Sequence, residues 1–351
     1  FFWTELFSIS CLITFMNCIK RWNVRKLRIG VLWLFRRFLI VPLLIAIIFI
    51  LLYFRNENTD PELPEIFPKK DPNYLHKETF VHKMDETFIP PMNGDWAEQL
   101  KKYGDHDVTS ELKEKRDFVR NAMKECWDVY YKYAWGQNEV NPINKVGLSR
   151  SEIHFNMKGV TIYDSLDTLL LMGLVDEFKV ARNWIQTESK FSNGDRANLF
   201  EANIRIVGGL ISTYYLTNDQ LFITKAKQFV DLTLPSFSSI FPYNHIVLSR
   251  LRTRPVQGTA NLAEIGSLHL EYAALSHITK NPEYFQKVTD IRNTLTKIFY
   301  AKKEPLGSDF SIHGLSEANR KYSLGAGSDS FYEYLIKSHV QNRSDKSSLD
   351  F

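Results

Sequence analysis

Apolar positions begin to recur at helical spacing after residue 109. Val119, Ala122, Met123, Cys126, Tyr130 and Tyr133 follow the 3.6-residue period of a one-sided helix. Further helical runs are predicted near 164–174, 176–190, 198–216, 218–233, 259–279, 282–300 and 328–340. The loops between them are rich in Gly, Pro, Asn and Ser. No segment sustains the alternation of a half-buried strand. The pattern predicts an all-α domain of consecutive helix pairs. Two architectures fit, an α-solenoid and a closed toroid of helix hairpins. No fixed-length repeat supports the solenoid.

Ahead of this domain the pattern is different. Residues 38–54 (FLIVPLLIAIIFILLYF) carry no charge over seventeen positions, against a usual span of about 20 and a lower limit of roughly 17. Lys20, Arg21, Arg25, Lys26, Arg28, Arg36 and Arg37 precede the run, and Glu57, Asp60, Glu62 and Glu65 follow it. The positive-inside rule then puts residues 1–37 in the cytoplasm and the remainder in a lumen. A cleaved signal peptide fits less well, because the run is long and no small-residue cleavage site follows. Residues 1–19 are also apolar, with Glu5 inside, and either a second span or a misplaced start explains them. Residues 55–108, rich in Pro and charge, are expected to be an extended stem. The helical domain is expected at 109–340, followed by a polar tail at 341–351 that holds a glycosylation tripeptide at Asn342-Arg343-Ser344.

Composition narrows the function. The net charge of +4 argues against a nucleic-acid binder, which carries a marked basic excess. The 25 Phe, 16 Tyr and 7 Trp suit a large helical core, and some could pack on sugar rings. Only Cys126 lies beyond the apolar run, so no disulfide framework is readable.

The candidate chemistry lies in acids set within apolar helices, where charge is costly. In YDSLDTLLLMGL, Asp164 and Asp167 read either as helix caps or as site residues. In FEANIRIVGGL, Glu201 and Arg205 are one turn apart and surrounded by apolar residues. In NLAEIGSLHLEYAAL, Glu264 and Glu271 are seven apart, hence expected on one face. In GAGSDSFYEYL, Asp329 and Glu333 share a face behind a Gly-rich turn, with Ser328 or Asp329 as a cap the plainer reading. Acids pointing from four helices toward one place suit glycoside hydrolysis, which needs a carboxylic acid and a second carboxylate. No GxSxG, HExxH, Walker A or CxxC pattern is present.

The same segments resemble glycoside hydrolase family 47, the class I α-1,2-mannosidases. The motifs are YYKYAWGQNEVNPINKVG (130–147), TIYDSLDTLLLMGL (161–174), FEANIRIVGGLISTYYL (200–216), LAEIGSLHLEYAALS (262–276) and LGAGSDSFYEYLIK (324–337), in family order. The resemblance implies an (α/α)7 barrel, of which about the first half is present. It implies Glu201 as catalytic acid and Asp329 as a second essential carboxylate. Asp164, Arg205, Glu264, Glu271 and Glu333 are implied to line the sugar pocket. It also implies Ca2+ as cofactor, with its protein ligand beyond this chain. The implied partner is a high-mannose N-glycan trimmed at terminal α-1,2 linkages. A single-pass anchor in the Golgi or endoplasmic reticulum membrane would hold the domain in the lumen. The loop at 239–258 departs from the family pattern, as does everything after Lys337. Three readings follow: an inverting mannosidase of which this is a fragment, a non-catalytic glycan-binding relative and, least favoured by the acid pattern, a purely structural helical scaffold.

Overall fold

The computed structural model describes residues 109–150, 156–192, 195–248, 258–319 and 321–349. The expected cytoplasmic tail, anchor and stem lie outside them. The helices are α1 (Ser110–Ala134), α2 (Val160–Leu171), α3 (Val175–Thr187), α4 (Leu199–Ala202), a π-helical turn (Asn203–Val207), α5 (Gly208–Thr217), α6 (Gln220–Thr233), α7 (Leu262–Gly266), α8 (His269–Thr279), α9 (Pro282–Lys302) and α10 (Asp329–Gln341).

Alternate helices share a layer. α2 packs on α5, α5 on α8, α4 on α7, and α7 and α8 both on α10. Against this row lie α3 on α2, α6 on α5, and α9 on α8. A helix with neighbours on several sides must be apolar nearly all round. α2 meets that need with Ile162, Tyr163, Leu166, Leu169 and Leu170 buried, and α5 with Leu210, Ile211 and Tyr214. Helices of the second layer bury one face only, as α6 does with Phe222, Ile223, Ala226, Phe229 and Val230. Among the described residues, most of the large aromatics are core. Tyr130, Tyr163, Tyr272, Tyr284, Phe178 and Phe229 are all essentially inaccessible.

The expectation of a strand-free domain needs correction. The described residues include three small antiparallel sheets: β1 (Glu139–Asn141) with β2 (Val146–Leu148), β3 (Arg196–Asn198) with β4 (His245–Val247), and β5 (Thr259–Asn261) with β6 (Asp309–Ser311) and β7 (Ser316–Glu317). Strands of two or three residues are too short to show alternation. Two of them share a module. Ala197-Asn198-Leu199 runs from β3 into α4, and Ala260-Asn261-Leu262 runs from β5 into α7. In each, the Leu amide donates to the backbone carbonyl just before the partner strand, Leu199 to Asn244 (2.6 Å) and Leu262 to Ser308 (2.8 Å). The side chains of Asn198 and Asn261 each accept from the amide of a Glu three residues on, Glu201 at 3.0 Å and Glu264 at 2.8 Å.

The predicted single helix at 259–279 is also two helices. Ser267 leaves the α region (φ −102°, ψ 41°) and ends α7. Its carbonyl accepts from Asn203 Nδ2 (3.3 Å) and its hydroxyl donates to Ser330 (2.7 Å), so neighbouring helices hold the break. Glu264 and Glu271 therefore do not share one helical face. In the tail, Asn342 is 7% exposed and its Oδ1 accepts from the Ser344 amide and hydroxyl. The folded segment does not present this Asn for glycosylation.

Candidate active site

The acids gather at the N-terminal turns of the first layer. Glu201 is the third residue of α4, Glu264 the third of α7 and Asp329 the first of α10. Asp164 is the fifth residue of α2. Free backbone N–H groups give each helix start a partial positive charge, which favours carboxylates there. Asp164 is not a cap, since α2 begins at Val160 behind Gly159, four residues earlier.

Arg205 ties two of these helices together. Its Nε donates to Glu201 Oε2 (2.9 Å) and its Nη1 to Asp164 Oδ2 (3.1 Å). Burial works against the guanidinium charge, but Glu201 and Asp164 outweigh it and raise the Arg205 pKa. The bridge depends on close helix approach. A Cβ on Gly209 would stand 2.3 Å from the Tyr163 carbonyl oxygen, so only glycine lets α5 lie this near α2.

Glu264 closes a capping box, with its Oε2 accepting from the Asn261 amide (2.9 Å). Its Oε1 accepts from Asn244 Nδ2 (2.5 Å). Asn244 is nearly buried, and its Oδ1 takes the Phe200 amide (2.9 Å), so one side chain links the starts of α4 and α7. Burial raises the Glu264 pKa, and the charges of Asp309 and Glu201 add to that rise. Asp309 begins β6 directly opposite Asn261, and Asn319 donates to it.

Glu271 lies deeper, at 8% exposure. Both its oxygens take protein donors, Tyr334 Oη on Oε1 (2.8 Å) and Asn203 Nδ2 on Oε2 (2.8 Å). Burial pushes its pKa up to about 7. Asp329 is exposed and accepts from the Ser330 amide (2.9 Å). The turn before it uses Gly327 at φ +89°, whose carbonyl accepts from the Ala263 amide beside Glu264 (2.9 Å). Glu333, one turn further along α10, pairs with exposed Lys337 (2.5 Å). Asp167 is half-buried, and its Oδ1 accepts from the neighbouring Thr168 hydroxyl.

The structure thus brings Asp164, Arg205 and Glu201 into one bonded group and sets Glu264 beside it. Asp329 stands at the next helix start. Sequence reasoning missed Asn244, Asp309, Asn203 and Tyr334. An Asn followed by a short apolar run in the 239–258 loop was the one local signal for Asn244.

Residues 122–350 match the model of glycosyl hydrolase family 47. This chain belongs to that family. Its family-47 region is 37% identical over 239 residues to mannosyl-oligosaccharide 1,2-alpha-mannosidase IB of Mus musculus, covering 66% of this chain and 37% of the relative. It is 38% identical over 267 residues to a mannosyl-oligosaccharide 1,2-alpha-mannosidase of Arabidopsis thaliana, covering 73% of this chain and 46% of that one. An endoplasmic reticulum mannosyl-oligosaccharide 1,2-alpha-mannosidase of Mus musculus is 36% identical over 234 residues, with 65% and 35% covered. The chain therefore spans between about a third and just under half of the length of these family-47 relatives. An alpha-1,2-mannosidase from Trichoderma reesei shares the fold, with TM-score 0.56 at 24% identity over 67% of this chain and 52% of that chain. Among the described residues of this family-47 chain, no three His, Cys, Asp or Glu side chains converge to hold a metal ion.

Proposed function

We propose that this chain is part of a mannosyl-oligosaccharide 1,2-α-mannosidase that removes terminal α-1,2-linked mannose from high-mannose N-glycans with inversion. The observation that carries this reading is the Asp164–Arg205–Glu201 bridge, set at helix starts in a family-47 chain. Glu201 acts as the acid that protonates the leaving oxygen. Arg205 fixes its orientation through the Nε hydrogen bond to Oε2. Asp329 acts on the attacking water from the next helix start. Inversion needs room for that water, roughly 6.5–9.5 Å between the acting carboxyls. Asp164, Glu264 and Glu333 line the sugar site with Arg205. The (α/α)7 barrel of the family frames the pocket.

A calcium ion belongs to the same reading and, when bound, supplies a hard cation for sugar hydroxyls. The apolar run at 38–54 anchors the domain, facing the lumen of the Golgi or the endoplasmic reticulum.

The test is incubation of the chain with a high-mannose N-glycan in calcium-containing buffer. Mannose release that disappears in Glu201→Gln supports the enzyme reading. Glycan binding without release by the unmodified chain favours the non-catalytic alternative. Neither binding nor release rejects both.

A further inference from the structure

The π-helical turn at Asn203–Val207 is the one break of α geometry in the helix that carries both Glu201 and Arg205. Gly208 N–H reaches back five residues to Asn203 O, the wide bond that defines the turn. Such turns interrupt an otherwise good hydrogen-bond ladder and persist where something holds them. Here the holder is a buried side chain. Asn203, the first residue of the turn, points inward with no exposed surface. Its Nδ2 is shared between Glu271 Oε2 (2.8 Å) and the Ser267 carbonyl at the α7–α8 break (3.3 Å). Glu271 is in turn gripped by Tyr334 of α10 (2.8 Å). Glu271 also lies against the residue after the turn, since a Cβ on Gly208 would be in ordinary contact with its Oε1 at 3.6 Å.

This arrangement is costly for packing alone. It buries a carboxyl, a phenol and an amide in the middle of an apolar layer. It also leaves Asn203 Oδ1 without a hydrogen-bond partner. An apolar trio of similar volume would fill the space without those losses. The polar trio meets the turn at its first residue, two positions ahead of Arg205.

We propose that Glu271, Tyr334 and Asn203 are positioning residues: a buried clamp that sets the π turn, and through it the reach of Arg205 to both Asp164 and Glu201. Glu271 then serves the site from behind and does not touch sugar. Burial, which keeps Glu271 protonated up to about neutral pH, agrees with this placement, since a carboxyl in contact with solvent and sugar would titrate lower. The inference rests on the proposed function for the purpose of the clamp, but not for its existence.

The experiment is hydrogen–deuterium exchange on the full chain, with peptides covering 199–217, 160–171 and 329–341, beside binding of α-1,2-mannobiose. Tyr334→Phe removes one hydroxyl without opening a cavity, and Asn203→Ala attacks the clamp from its other end. Both should speed exchange at 203–209 by about tenfold, the loss expected when one partner of a buried hydrogen-bonded group is removed. Exchange at 160–171 should stay unchanged. Tyr334→Phe acts more than 120 residues away in sequence, so a merely local role would move only 329–341. Both variants should weaken mannobiose binding. Unchanged exchange at 203–209 in both variants overturns the clamp. So does a Glu271→Gln variant that loses mannobiose affinity while 203–209 exchange stays as in the unmodified chain, because that marks direct sugar contact. If the unmodified chain binds no mannobiose, the proposed function fails, while the exchange arm still decides the clamp.

Discussion

Arg205 is the residue whose chemistry is hardest to replace. Its fork serves two carboxylates on two helices, from Nε to Glu201 and from Nη1 to Asp164. Lysine is a point charge on a flexible stem and cannot hold both in fixed directions. Arg205→Lys should therefore weaken mannobiose binding about tenfold or more, the scale of a lost charge-assisted hydrogen bond. The pair is part-exposed, so the same change should cost less than about 1 kcal/mol of stability. Calorimetric titration and a urea melt read the two effects separately. Glu271 gives the opposite case, a buried carboxyl with a pKa raised from 4.5 to about 7. Between those values the unfolded chain ionises Glu271 while the folded chain keeps the proton. The folded state then binds more protons, so stability falls as pH rises through that window. The full effect is on the order of 3 kcal/mol. Glu271→Gln should flatten this part of the stability profile between pH 5 and 7, measured by urea midpoints. An unchanged slope would show that Glu271 ionises normally in the folded chain.

At the scale of elements, close helix approach sets the site. Gly209→Ala would force its Cβ into the Tyr163 carbonyl at 2.3 Å, where backbone cannot yield as a flexible side chain can. The expected cost is about 1–3 kcal/mol, the usual price of overpacking. Because α5 must then move off α2, the Asp164–Arg205 bond should lengthen and mannobiose binding should fall with stability. A melt together with a binding titration checks both. Asn261→Ala removes the cap that Glu264 answers, at about 1 kcal/mol. It should also free Glu264 from its fixed direction.

These elements also show what could be read from sequence. Helices α2, α3, α6, α9 and α10 lie close to the runs predicted from apolar spacing, because each buries a continuous face. The break at Ser267 and the π turn at Asn203 were not readable. Both are held by bonds from other helices, Asn203 to Ser267 and Ser267 to Ser330. A periodic pattern continues through such a break, so spacing alone merges α7 with α8. The Glu201–Arg205 pair was legible because its partners are four residues apart. The role of Asn244 was not, since its partners Phe200 and Glu264 are 44 and 20 residues away.

At the scale of the molecule, the layer of alternate helices explains why distant motifs meet. α4 and α7 begin directly at strands β3 and β5, α2 begins behind left-handed Gly159 and α10 shortly after left-handed Gly327, and each places an acid within its first two turns. Packing side by side then turns separate sequence motifs into a row. The row is coupled by named bonds: Arg205 joins α2 to the α4 helix start, and Asn244 joins α4 to α7. The outer edge of α10 exposes Ile336 and Val340 at helical spacing, and charges placed there should leave the coupled row intact. Ile336→Lys should keep the unmodified chain's affinity for mannobiose, read by the same titration.

The central claim is that the bonded row at Arg205 recognises α-1,2-linked mannose. Its most direct test is a titration of the full chain with α-1,2-mannobiose in calcium-containing buffer, run in parallel with Arg205→Ala. The unmodified chain should bind saturably, and the variant should lose at least about tenfold in affinity. Equal affinity in the two, or no binding by the unmodified chain, would contradict the claim.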